Sequence, residues 1–191
     1  MRDIYNIPNL LSLYRLLMFP FVLYLCFTRQ EFLFALFLTI NLATDILDGL
    51  IARVFNLQTE LGARLDSIAD FGTYIAAIAG VFIFKASDFK PYLGSFLVFV
   101  SLILFTHLLS LAKFRRLPSL HLYSSKIGGY VQGAFFVVLF LFGFYPAFYY
   151  VMIAWGILAE CEHIAVQLMI DEMQSNAKGL YWVLRKNRAK K

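Results

Sequence analysis

Apolar residues in this chain run in long unbroken stretches rather than alternating at every second position. Six stretches, residues 9–27, 32–54, 61–84, 92–112, 128–144 and 146–170, come close to or exceed the roughly 20 residues a helix needs to cross a bilayer. Strands of a membrane barrel would alternate apolar and polar side chains, and these stretches do not. Arg15 and Pro20 interrupt the first, and no small-residue cleavage site follows it, so a cleaved signal peptide is not expected. The pattern predicts an all-α integral membrane protein, a six-transmembrane-helix bundle. Residues 1–178 would form one membrane domain and 179–191 a basic amphipathic C-terminal tail.

Composition narrows the class. Of 191 residues, 61% are hydrophobic and only 15% are charged, whereas a soluble domain carries about 25% charged residues. A free soluble domain and a disordered chain are both excluded. Two cysteines, Cys26 and Cys161, are too few for a disulfide scaffold or a thiolate metal cluster. The formal charge of +5 points to anionic lipid and phosphorylated ligands, not to nucleic acid. With the N-terminus inside, only Arg29, Lys85 and Lys90 of the 17 Lys and Arg fall outside. The positive-inside rule then puts both termini in the cytoplasm. In the tail, Tyr181, Trp182, Val183 and Leu184 precede a basic run, which reads either as an interfacial anchor on anionic lipid or as a frayed basic end.

The acids carry the chemistry. Asp45, Asp48, Asp66 and Asp70 lie inside the second and third stretches, where each would cost about 2.5–3.5 kcal/mol near a helix centre. The i, i+3 and i, i+4 spacings put each pair on one helix face. The two helices are joined by a short turn near residues 56–60, so they form an antiparallel hairpin with Asp48 level with Asp66 and Asp45 level with Asp70. By the helix rise the quartet sits roughly 8–18 Å in from that turn. Four converging carboxylates cannot all stay ionised without cations. An all-oxygen set suits Mg²⁺ or Mn²⁺, and two ions would balance the charge. Gly49, Ala52 and Gly62 would let a ligand approach the backbone, and Arg53 at the mouth offers a fork for phosphate oxygens. A proton- or cation-coupled transporter, its path lined by these acids, is the alternative from another class.

The run Asp45-x2-Asp48-Gly49-x2-Ala52-Arg53-x8-Gly62-x3-Asp66-x3-Asp70 resembles the full signature of the CDP-alcohol phosphotransferase (CDP-alcohol phosphatidyltransferase) family. The resemblance implies a two-ion Mg²⁺ or Mn²⁺ site held by Asp45, Asp48, Asp66 and Asp70, with Asp70 also the candidate catalytic base. It implies a CDP pocket formed by Asp45, Asp48, Gly49, Ala52, Arg53, Gly62 and Asp66. It further implies a homodimer and transfer of a phosphatidyl group from CDP-diacylglycerol to a small polar alcohol, releasing CMP, at the cytoplasmic face of a membrane such as the bacterial inner membrane. The sequence offers no convincing nucleophile–base pair for a covalent route, so direct displacement is expected.

The acceptor is less legible. Arg15 lies about 9 Å into the first stretch, level with the Asp48–Asp66 tier, and either binds the acceptor or reaches back to headgroups. The opening Asn6-Ile7-Pro8-Asn9-Leu10-Leu11-Ser12-Leu13-Tyr14-Arg15 is similar to that of phosphatidylglycerophosphate synthases and related cardiolipin synthases. Arg116 and Lys126 are candidates for an acceptor phosphate such as that of glycerol 3-phosphate, and His121, Ser124 and Ser125 could hydrogen-bond a polyol. Ser67 and Phe71 depart from glycerophosphate-using relatives, which usually have Pro after the third Asp and Lys after the fourth. Glu160, Glu162 and His163 could pair with Lys126 or Arg116, or face an amine acceptor. Glycerol 3-phosphate is the leading acceptor, and serine, inositol and inositol phosphate stay open as alternatives. Gly129-x3-Gly133 reads as a helix-packing motif within the bundle or a dimer.

Overall fold

A computed structural model describes residues 6–57, 59–116, 118, 120, 122–171 and 177–188, with the backbone alone for residues 63 and 186–188. His121 and the terminal Lys190 and Lys191 lie outside the described residues. The elements are helices α1 (Ile7–Phe27), α2 (Glu31–Val54), α3 (Glu60–Phe84), α4 (Ala86–Phe89), a 3-10 turn (Lys90–Tyr92), α5 (Leu93–Phe114), α6 (Tyr123–Leu141), α7 (Pro146–Met169) and α8 (Leu180–Arg188). Among the described residues there are no strands. Among the described residues, six helices are long and apolar enough to cross a membrane, and the protein is an integral membrane protein.

The expected boundaries hold for the hydrophobic interiors and shift at polar ends. α1 begins at Ile7, not residue 9, because the Asn6 side chain caps it by accepting from the Asn9 N–H and Pro8 suits a first helical turn. α6 begins at Tyr123, ahead of the expected residue 128, so the polar run Ser124-Ser125-Lys126 is helical. It ends before Gly143, whose φ of +107° is open to glycine alone. The expected tail contains a formed helix, α8.

The chain divides into two compact units. The first comprises residues 1–90 and 136–143. Here α1 packs against both α2 and α3. Small residues on α3 make the close approach possible: Ala69, Ala76 and Ala77 are buried, and a Cβ at Gly72 would stand 3.2 Å from the Phe19 ring of α1. Phe19 is one turn beyond Arg15, so the same packing carries Arg15 toward α3. At the far end of the hairpin Lys85 pairs with Glu31 at 2.7 Å.

The second unit comprises residues 91–135 and 144–191. α5 packs on α7, where Gly156 admits the Phe99 ring; a Cβ there would lie 2.5 Å from it. A separate buried cluster, Leu120, Leu122, Val166, Ile170 and Val183, joins the loop before α6 to α7 and α8.

Candidate active site

Three helices build the site. α2 carries Asp45 and Asp48, α3 carries Asp66 and Asp70, and α1 carries Arg15, whose side chain is only 1% exposed. Arg15 Nη1 donates to Asp45 Oδ1 at 2.5 Å and to Asp70 Oδ1 at 2.7 Å. Its Nη2 donates to Asp48 Oδ2 at 2.8 Å and to Asp66 Oδ1 at 2.6 Å. The two ends of the fork thus sort the carboxylates into the tiers expected from the hairpin register, Asp45 with Asp70 and Asp48 with Asp66. Asp48 is buried and also accepts from Ser12 Oγ at 3.1 Å. The other three keep side-chain exposures of 38% (Asp45), 41% (Asp66) and 42% (Asp70), so a ligand can reach them.

One guanidinium carries a single positive charge against four carboxylates, which leaves up to three negative charges to be balanced by something else. Oxygens of Asp45, Asp48 and Asp66 lie within 4.8 Å of one another. This donor set is all carboxylate oxygen, the type that hard divalent cations take. The residues present therefore fit a divalent ion, and Asp70 sits beside the triad through its shared nitrogen with Asp45.

Glycines around the quartet have distinct reasons. Arg53, exposed in the last turn of α2, folds back so that Nε donates to the Gly49 carbonyl at 2.7 Å. A Cβ at Gly49 would stand 3.3 Å from Arg53 Nη2, so glycine leaves the fork room to lie along the helix, with half-buried Ala52 on the same turn. Gly62 is enclosed more tightly: a Cβ there would fall 2.2 Å from Asn9 Oδ1 and 2.9 Å from Thr59 Oγ1. Its N–H donates to Thr59 Oγ1 at 2.9 Å, the cap of α3. Gly62→Ala is therefore expected to lose about 1–3 kcal/mol of stability through overpacking. A thermal unfolding midpoint in detergent equal to that of the parent protein would show instead that Asn9 swings aside without penalty.

Several residues take positioning roles that the sequence does not assign them. Asn6 Nδ2 donates to the Leu57 carbonyl at 3.0 Å and Asn9 Nδ2 to Thr59 Oγ1 at 3.2 Å, tying the start of α1 to the turn between α2 and α3. Asn6 before Pro8 and Thr59 before Glu60 are readable as helix caps, but their cross-chain bonds are not.

Of the acceptor candidates, Arg15 bonds the four carboxylates through Nη1 and Nη2. Arg116 and Lys126 are exposed and belong to the second unit. Lys126 Nζ lies 5.8 Å from the centre of the Tyr123 ring. The acids of α7 find hydroxyl and backbone partners: Glu160 accepts from Thr106 Oγ1 at 2.6 Å, and Glu162 accepts from Ser124 Oγ and from the Leu180 N–H. Ser124, which the sequence offers as a group for a polyol, is thus bonded to Glu162.

Comparison with known proteins agrees with this geometry. A family model described as CDP-alcohol phosphatidyltransferase matches residues 5–161. The CDP-diacylglycerol–glycerol-3-phosphate 3-phosphatidyltransferases of Escherichia coli (strain K12) and Shigella flexneri serotype 5b (strain 8401) are each 42% identical over 82 residues. Those alignments cover 41% of this chain and 44% of each relative, so less than half the length of these curated relatives is matched. No solved structure matches the chain significantly. The family match spans most of the sequence, and each acid of the signature folds onto one arginine: the chain belongs to the CDP-alcohol phosphatidyltransferase family.

Proposed function

We propose that this protein transfers a phosphatidyl group from CDP-diacylglycerol to glycerol 3-phosphate and releases CMP. The convergence of Asp45, Asp48, Asp66 and Asp70 at one point, three of them partly exposed, carries the reading. The name of the relatives supports the pair of substrates. Family membership favours this chemistry over a transport pathway lined by the same acids.

Asp45, Asp48 and Asp66 would hold Mg²⁺ or Mn²⁺, with Asp70 completing a two-ion site. Bound there, such ions would supply positive charge against the donor's pyrophosphate. Asp45, Asp48, Gly49, Ala52, Arg53, Gly62 and Asp66 form the CDP pocket, with the Arg53 fork on phosphate oxygens. The acceptor hydroxyl oxygen bonds to the diacylglycerol-bearing phosphorus as the bond from that phosphorus to the CMP oxygen breaks. Asp70 takes the hydroxyl proton. From the sequence, Arg15, Arg116 and Lys126 are the residues proposed to bind the acceptor, Arg116 and Lys126 at its phosphate. The bias of Lys and Arg supports a site at the cytoplasmic face of a bacterial inner membrane. A homodimer belongs to the same reading, with Gly129-x3-Gly133 on α6 as a helix-packing motif within the bundle or the dimer.

Purified protein with CDP-diacylglycerol and Mg²⁺ or Mn²⁺ should release CMP with glycerol 3-phosphate, and EDTA should stop it. Serine, inositol and inositol phosphate belong in the same assay because Ser67 and Phe71 depart from the glycerophosphate pattern. Release with one of those alone overturns the acceptor, and no release with any overturns the donor.

A further inference from the structure

The segment that leads into α8 is bonded to the start of α6 and to Leu120 before it. The Ala177 N–H donates to the Leu120 carbonyl at 3.0 Å, and the Tyr123 N–H donates to the Lys178 carbonyl at 3.0 Å. Glu162 of α7 closes the junction from a third element. Its Oε1 accepts from the Leu180 N–H at 2.7 Å and its Oε2 accepts from Ser124 Oγ. The Leu180 N–H is a first-turn donor, a group that a helix start leaves without an internal partner, and a carboxylate there also faces the positive end of the helix dipole.

Local residues enforce this seat. Lys178 has φ +63°, turning the chain sharply before α8. A Cβ at Gly179 would stand 2.9 Å from Glu162 Oε1 and 3.2 Å from the Trp182 ring, so only glycine admits both. Val183 is buried with Leu120, Leu122, Val166 and Ile170. Glu162 and α8 lie beyond the residues that the family model matches.

The rest of α8 is unlike a solvated helix. Tyr181 is 65% exposed, Trp182 45% and Leu184 39%, and Arg185 is also exposed. Lys186, Arg188, Lys190 and Lys191 follow in the sequence. Exposed Tyr and Trp beside basic residues mark a helix that lies in a membrane interface. The six spans keep a bilayer within reach, and the basic run matches anionic headgroups in charge. Trp182 in turn packs on Tyr123, ring centres 5.8 Å apart, and Lys126 lies over that same Tyr123 ring.

We propose that α8 docks on the anionic headgroup layer of the bilayer and that Glu162 latches it to the first turn of α6, so that headgroup binding holds the turn bearing Lys126. Only the consequence for the acceptor rests on the reading under Proposed function; docking and latch do not.

The test uses the full chain in phosphatidylcholine vesicles with or without phosphatidylserine, one lipid at a time carrying brominated chains. The part of the tryptophan quenching that disappears in Trp182→Phe reports α8. It is expected to be larger with brominated phosphatidylserine than with brominated phosphatidylcholine, and to fade at high salt. Arg185→Gln should weaken the association about fivefold, the effect of one basic residue near an anionic surface. Equal quenching by the two lipids overturns docking. Hydrogen exchange at the Tyr123 and Ala177 amides should slow in phosphatidylserine vesicles. Glu162→Ala should remove that slowing while Trp182 stays quenched, and Ser124→Ala, a milder cut through the same latch, should reduce it. Full slowing in both variants overturns the latch. In turnover, phosphatidylserine should lower the KM for glycerol 3-phosphate in the parent protein and not in Glu162→Ala. Absence of turnover with glycerol 3-phosphate counts against the acceptor reading, and quenching and exchange still decide the fate of the α8 proposal.

Discussion

Asp66→Asn is expected to lower CMP release by about three orders of magnitude while the protein stays folded. Asparagine keeps the shape of the side chain and an oxygen that can still accept from Arg15 Nη2, now 2.6 Å from Asp66 Oδ1. Asp45, Asp48 and Asp70 continue to surround the guanidinium, so the buried cation is not stranded. The change removes one negative charge and one metal-binding oxygen from the triad of Asp45, Asp48 and Asp66. CMP release, Mn²⁺ binding and thermal unfolding in detergent, measured side by side, separate the effects. Parental turnover in this variant would remove Asp66 from the chemistry. Asp70→Asn is the informative companion: if Asp70 is the base, kcat should fall much further than Mn²⁺ affinity.

Arg15→Met should be the most destabilising single change in the first unit, by about 3–5 kcal/mol, the usual cost of removing one partner from a buried ionic network. Methionine fills similar space but leaves four carboxylates facing one another with no cation of the protein's own among them. The unfolding midpoint should therefore drop, and added Mg²⁺ should raise it more in the variant than in the parent protein. Arg15→Lys should recover only part of the loss, because an ammonium is a point charge and cannot present two nitrogens to two tiers of acids. An unaltered midpoint in Arg15→Lys together with a raised KM for glycerol 3-phosphate would leave Arg15 to the acceptor alone and refute its role as the holder of the quartet.

Much of the site is legible in the amino-acid sequence because its parts are local. Asp45 with Asp48 and Asp66 with Asp70 each share a face through helical spacing alone, and a short turn sets the register of the hairpin. Arg53 shows where local reading falls short: its position at the mouth is evident, but its bond back to the Gly49 carbonyl is not. Gly62 reads as a place where a ligand can near the backbone, but that a side chain there would also strike Asn9 is not evident locally. Glu162 reads as a partner for a basic residue or an amine and holds Ser124 and the first turn of α8 instead.

The sequence by itself determined six apolar helices, the pairing of the acids into two tiers and the family signature. These follow from the cost of placing polar groups in hydrocarbon and from the repeat of the helix, both of which operate within a few turns of chain. Only the tertiary structure decided which cation stands among the acids, why Gly62 must lack a side chain, and how the C-terminal helix is moored. Arg15 is separated from its four partners by 30 to 55 positions, and Glu162 from Ser124 by 38. Contacts at that range depend on how closely helices approach, and on α3 that approach is set by small residues such as Gly72 beneath Phe19, whose neighbours no local pattern of apolar and polar positions can specify.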